Sequence, residues 1–253
     1  MVIHNDYTTN ELLANEPCVI DEKCIIYPLT IKEYSKFIKY SIYLQFSRER
    51  LKLNKDMNLL STTILLLIQA MSESGEGDII TNIDRVVNDF EKLFSLVTKK
   101  KVKCVRVGSM FRFQGDGVVI DDSNYDDVRK VIMLMNLMKE PKVFDDPLYE
   151  KMYYKSMRAN RKEGASLEDV ILTVLQDMKY TFEYIYQLNI MQLYGLYSRC
   201  VHVKNSDAIT IYRTCSDKLP KIDYTDGVID NLFKERDDSD LFADLDGLVG
   251  KLK

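Results

Sequence analysis

Apolar positions along the chain repeat mostly at helical spacing. Tyr34, Phe37, Ile38, Ser41 and Ile42 keep an i, i+3, i+4 rhythm after Thr30, which has Glu33 three residues on in the order of a capping box. Leu59 to Met71, "LLSTTILLLIQAM", is apolar almost throughout and predicts a buried helix. It is too short for a membrane span of roughly twenty residues. Ile83, Val86, Val87, Phe90, Leu93, Phe94 and Val97 predict another helix, closed by the basic run Lys99–Lys101. From Ser123 the pattern is helical again to Lys139, resumes from Pro147 to Arg161, and is most regular after Ser166, whose partner Asp169 completes a second capping box. Two shorter helices are predicted at 181–188 and 190–203.

Two stretches break this rhythm. "CIIYPL", Cys24 to Leu29, reads as a short strand stopped by Pro28. Between Val102 and Ile120, Phe111 and Phe113 alternate with polar neighbours, and Gly115-Asp116-Gly117 supplies the positive-φ positions of a tight hairpin returning through Val118-Val119-Ile120. Ser123 is then the predicted N-cap of the next helix, with Asp126 as its box partner. A calcium loop does not fit the same aspartates. Starting at Asp116, the third and fifth positions are Val118 and Ile120; starting at Asp121, the glycine position holds Asp126.

The expected fold class is mainly α (α+β), a helical protein with a small β-hairpin insertion and an acidic C-terminal tail. Its expected segments are an arm and short strand at 1–29, a helical region at 30–101, the hairpin at 102–121, a second helical region at 122–216, and the tail at 217–253. In that tail Leu241, Phe242, Leu245, Leu248, Val249 and Leu252 fall on one face of a helix, with Lys251 and Lys253 near its end. Gly247 and Gly250 weaken it, so it is expected to form on a partner's groove, and these six residues are the predicted partner-binding site.

Composition narrows the chemistry. The net charge of −4 and pI near 5.4 argue against bulk electrostatic binding of nucleic acid. The segment Tyr149–Lys162 interleaves tyrosines with lysines and arginines as a stacking groove would, yet the same spacing makes an ordinary amphipathic face. A helix-turn-helix reading of the helices after Ser166 places Asn189 to Tyr194 at the reading end, with the cations Arg199 and Lys204 at the wrong end. Five scattered cysteines suit a reducing compartment as buried thiols; a metal site from Cys200, His202 and Cys215 lacks the usual ligand spacing. Two histidines, no nucleophile elbow, no zinc helix and no phosphate loop leave no catalytic signature, and no cofactor is expected. No secretory signal pattern opens the chain.

Three pieces together, "IYPLTIKEYSKFIKYSIYLQFSRERL", the Phe111–Met135 junction and "SLEDVILTVLQDMKYTFEYIYQLNIMQLYGLYSRC", resemble a family encoded among the morphogenesis genes of tailed bacteriophages of Gram-positive bacteria. These proteins are called tail assembly chaperone-like. The likeness runs from Ile25 to Cys215 and rests on apolar patterns and caps, so no functional residue carries over. It implies a non-enzymatic protein of the host cytoplasm or the virion. Its expected partners are other tail proteins, among them the length-determining protein, or further copies of itself, with neither nucleic acid nor membrane. The acidic tail departs from the family pattern and leaves a transient chaperone and a virion component (tail, neck or baseplate) both open. A nucleic-acid-binding protein using Tyr149–Lys162 is the rival from another class.

Overall fold

The computed structural model describes residues 9–55, 57–75, 78–108, 110–159 and 165–214. In chain order these form α1 (Thr9–Leu13), β1 (Cys18–Asp21), β2 (Cys24–Ile26), α2 (Ile31–Ser41), a 3-10 turn at Ile42–Gln45, α3 (Leu59–Glu73) and α4 (Ile79–Thr98). Then follow β3 (Lys103–Val107), β4 (Met110–Gly115), β5 (Val118–Ile120), α5 (Tyr125–Met135), α6 (Pro147–Ala159), α7 (Leu167–Met178), α8 (Phe182–Gln187) and α9 (Ile190–Arg213). The protein is therefore mainly helical with small antiparallel sheets, as the periodicity predicts. It divides into two compact units, one of Met1–Pro141 with Tyr180–Tyr194, the other of Lys142–Lys179 with Gly195–Lys253.

In the first unit β1 and β2 form a hairpin, and β3, β4 and β5 form a three-stranded sheet in that order. The predicted turn is present: Gly115 faces Val118, and Asp116 and Gly117 both adopt positive φ, at 49° and 80°. A type I′ hairpin turn needs that conformation at both central residues, which suits Asp-Gly. Gly115 itself is fixed by space, since a Cβ there would lie 2.1 Å from the Lys101 carbonyl oxygen.

An aromatic cluster holds the sheet to the helices. Phe90 and Phe94 of α4 meet Phe113 of β4 and Tyr125 of α5, with Phe94 and Phe113 edge to face at 4.9 Å and Tyr43 stacked on Phe90 at 5.3 Å. All but Tyr43 are fully buried. Edge-to-face pairs add to the stabilisation from burial alone.

The junction after β5 differs from the sequence expectation. Helix α5 starts at Tyr125, so Ser123 is not its N-cap. The Ser123 hydroxyl donates to Asp121 Oδ1 at 2.6 Å, and the same oxygen accepts the Ser123 N–H. Asp121 closes its own side-chain turn two residues on and thereby takes the serine that would have capped the helix. Asn124 stands at the cap position, but its side chain accepts from Asp121 N–H and donates to Asp21 and the Val119 carbonyl. Asp126 is likewise no box partner; it pairs with Arg129 and Lys130. Burial pushes the Asp126 carboxyl up, but the bonds from Lys130 and Arg129 outweigh it and hold it below the ordinary carboxylate range.

Asp122 does cap a helix, across the fold. Its carboxylate accepts the Ser61 N–H at 3.1 Å and the Ser61 hydroxyl at 2.6 Å, and Ser61 Oγ in turn accepts the Phe111 N–H. Ser61 is the third residue of α3, where the N–H groups lack partners inside the helix. One acid thus closes the start of α3 and ties it to β4. A comparable device joins the chain's beginning to α9. Asn189 and Gln192 bond each other's backbone N–H groups, while their amides donate to the Leu12 and Leu13 carbonyls at the end of α1.

Arg129 is fully buried on α5. Its guanidinium donates to the Leu44 carbonyl at 3.1 Å, to Asp126 at 3.1 Å and to Glu140. Burying a cation is costly unless each donor finds a partner, and these three come from separate segments. In the second unit, Ser166 and Asp169 form the predicted capping box of α7, and Lys204 of α9 meets Asp177 of α7 at 2.8 Å. Replacing Arg129 with Met keeps the apolar stem but strands the Leu44 carbonyl and takes a cation from Glu140 and from Asp126, which keeps Lys130. Arg129→Met is expected to lower unfolding free energy by about 3 kcal/mol, toward the low end for a broken buried pair because Glu140 keeps solvent contact; urea unfolding of the two proteins measures it.

Candidate functional site

Helix α3 carries part of the exposed apolar surface of the first unit. Its residues are apolar around most of the circumference, and a helix of that kind is ordinarily buried on every side. Leu59, Leu60, Ile64 and Ile68 do face the core. Leu65 and Leu66, however, are 52% and 39% exposed, and Ile79 and Ile80 at the start of α4 are 61% and 72% exposed. The helix expected to be buried is thus buried on its core side and open along Leu65 and Leu66. Between α3 and α4 runs an open groove of about 370 Å³ lined by Leu65, Ile68, Gln69, Ser72, Glu73 and Ile79. Asn82 of α4 is fully buried and donates to Ser72 Oγ, while its Oδ1 has no hydrogen-bond partner among the described residues.

A second exposed surface lies on α8. Tyr180, Phe182, Tyr184 and Tyr186 are all exposed, with Tyr180 and Tyr184 in ring contact at 4.6 Å and Phe182 and Tyr186 stacked at 6.2 Å. The helix is anchored by the Ile31 N–H donating to the Leu188 carbonyl and by buried Ile185. Only Ile185 of its apolar side chains turns fully inward, so the aromatics stand on the solvent side. Exposed aromatic side chains in a cluster are the type that supplies most energy at protein interfaces.

The open edge of β3 is partly closed by α4. Glu91 accepts the Cys104 N–H at 2.9 Å, and Ser95 Oγ accepts the Val102 N–H at 3.0 Å. Spaced one helical turn apart, these side chains occupy alternate edge groups where another strand would pair.

The basic and aromatic segment Tyr149–Lys162 is placed differently from a stacking groove. Tyr153 is 5% exposed, packed on Phe144 with Lys142 Nζ 5.6 Å from its ring centre, and the Tyr154 hydroxyl donates to the Lys142 carbonyl. Its residues 160–162 lie outside the described residues. At the supposed reading end of a helix-turn-helix, the Asn189 and Gln192 side chains are already spent on the chain's own backbone.

Cys18, Cys24, Cys104 and Cys200 are free thiols. Burial pushes Cys24 up to about 12, with Asp21 and Cys18 adding to it, and pushes Cys18 and Cys104 up to about 11. Thiols so shifted are overwhelmingly protonated at neutral pH and poor nucleophiles. Cys215 and the six predicted partner-binding residues, Leu241, Phe242, Leu245, Leu248, Val249 and Leu252, lie outside the described residues. Among the described residues no three His, Cys, Asp or Glu side chains gather as cation ligands, and no helix is long and apolar enough to cross a membrane.

No family model matches the chain, and no solved structure matches it. The chain is similar to a phage-derived protein of a Gram-positive bacterium. That relative, the SPbeta prophage-derived uncharacterized protein YomV of Bacillus subtilis (strain 168), is 26% identical over 216 residues, covering 83% of this chain and 80% of the relative.

The thiol environments give a direct test. In native protein at pH 7.5, Cys18 and Cys24 are expected to stay unmodified by iodoacetamide over an hour and to react fully in urea, with peptide mass spectrometry reading each site.

Proposed function

We propose that this is a bacteriophage tail assembly protein of the chaperone-like kind, acting in the host cytoplasm by contacts with other tail proteins and without catalysis. The observation that carries the reading is the pairing of a firmly capped helical frame with apolar surface left open on α3, α4 and α8. A monomer without partners gains nothing from exposing Leu65, Leu66, Ile79 and Ile80 together, and such patches mark interaction sites. The similarity to a prophage-derived protein supports the phage part of the reading, and the resemblance of the Ile25–Cys215 patterns supports the tail part. The same contact role extends in this reading to Leu241, Phe242, Leu245, Leu248, Val249 and Leu252, the partner-binding residues expected from the sequence.

The absence of catalysis is proposed from the raised thiols and from side-chain amides and carboxylates spent on structural bonds. The test is affinity capture of the tagged protein from infected cells, paired with mass spectrometry of purified particles. Recovery of tail proteins with the tagged chain, and its absence from particles, is the expected result. Stoichiometric presence in particles would make it a virion component, and capture of nucleic acid without tail proteins would overturn the reading.

A further inference from the structure

Helix α3 differs from its neighbours in what it shows to solvent. The exposed positions of α2 include Lys32, Lys36 and Lys39, and those of α4 include Asp84, Arg85 and Lys92, as a solvated face ordinarily does. On α3 they are Leu65, Leu66, Gln69, Ala70 and Glu73, with Thr62 half-buried beside them. At about 100° per residue these six fall within an arc of about 140°. The stripe carries no charge until Glu73, the last residue of the helix. We propose that a second copy of this chain covers it, two α3 helices pairing antiparallel about a two-fold axis at Leu66, first unit against first unit.

Self-pairing makes a demand that a foreign partner does not, because each residue of a two-fold patch must suit the same patch on the other copy. The charged faces of α2 and α4 fail it, since like charges would meet. The α3 stripe satisfies it. Leu66 is the middle of the helix's 15 residues, so a half-turn about that point lays the full length of one helix along the other. Leu66 then meets Leu66, and Thr62 lies across from Ala70. Side chains that small let the helix axes approach to about 8–10 Å. Exposed Ile79, which shares the α3–α4 groove with Glu73, extends the apolar contact at either end.

The single charge sets the antiparallel sense. Glu73 stands in the last turn of α3, where the dipole of its own helix disfavours an acid. In the antiparallel pair it lies at the start of the partner copy's α3, where the dipole favours one. Lys55, just before that start, is exposed and forms no ion pair among the described residues, so the acid also gains a cation. Parallel pairing would instead set the two Glu73 carboxylates together. The pairing does not rest on the tail-assembly reading.

Sedimentation velocity of the purified full chain across the micromolar range tests the proposal without any phage component. The wild type is expected to pass from monomer to dimer as concentration rises. Leu66→Asp sets two carboxylates against each other at the axis and is expected to leave only monomer, with circular dichroism unchanged because Leu66 is an exposed position. Glu73→Lys and Lys55→Glu are each expected to weaken association about threefold or more, and the two together to restore it to within about twofold. If Leu66→Asp loses its circular dichroism, the charge exchange decides alone. A wild type that stays monomeric overturns the proposal. So does a dimer that survives Leu66→Asp, whose interface must lie elsewhere, or a double variant that does not recover.

Discussion

Helix α3 carries apolar side chains on nearly every side, so the fold has to cover it from several directions at once. The core supplies one direction through α4, β4 and α5, whose aromatic residues Phe90, Phe94, Phe113 and Tyr125 close around the same interior. Asp122 closes the helix start by taking the Ser61 N–H and hydroxyl, and the same serine accepts from β4. Arg129 then pins α5 to the segment around Leu44 and to Glu140. These contacts hold α4, β4 and α5 against α3 and leave Leu65 and Leu66 uncovered among the described residues. The exposed side is a property of the sequence that the local fold leaves unanswered, and the functional account begins there.

What could be read in the sequence follows how far each interaction reaches along the chain. The Asp116-Gly117 turn and the Ser166–Asp169 box involve neighbours within three residues, and both stand where the pattern put them. Glu33 also reaches back to the Thr30 N–H as its spacing suggests. Ser123 does not cap α5 because two local bonding patterns compete for it, and Asp121 is as near as the helix start. The caps that organise the first unit, Asp122 on Ser61 and Asn189 on Leu12, join residues far apart and have no sequence signal of their own. The β1 strand preceding Cys24 has no clear sequence signal, since four residues carry too little alternation to stand out from an arm.

The candidate surfaces were only half legible. Periodicity identifies α3 as apolar but cannot say which side is covered, because a helix apolar all round has no preferred face. Around α8, Tyr180 and Tyr184 pair four residues apart, as do Phe182 and Tyr186, a spacing that suits a buried stripe as well as an exposed one. Conversely, the tyrosines of Tyr149–Lys162 read as candidates for stacking, and Tyr153 turns inward with Lys142 beside its ring. Spacing could not separate those outcomes. Burial did.

Polar side chains such as Asp122, Arg129 and Asn189 tie segments of the chain together, while Leu65, Leu66 and the aromatics around α8 stand open. The chain is similar to a prophage-derived protein of Bacillus subtilis. The most direct measurement is electron microscopy of lysates from cells infected by phage whose copy of this gene carries an early stop codon. Our account predicts normal numbers of filled heads with tails missing or of abnormal length, restored by supplying the protein in trans. Particles with tails of normal number, length and infectivity would contradict it.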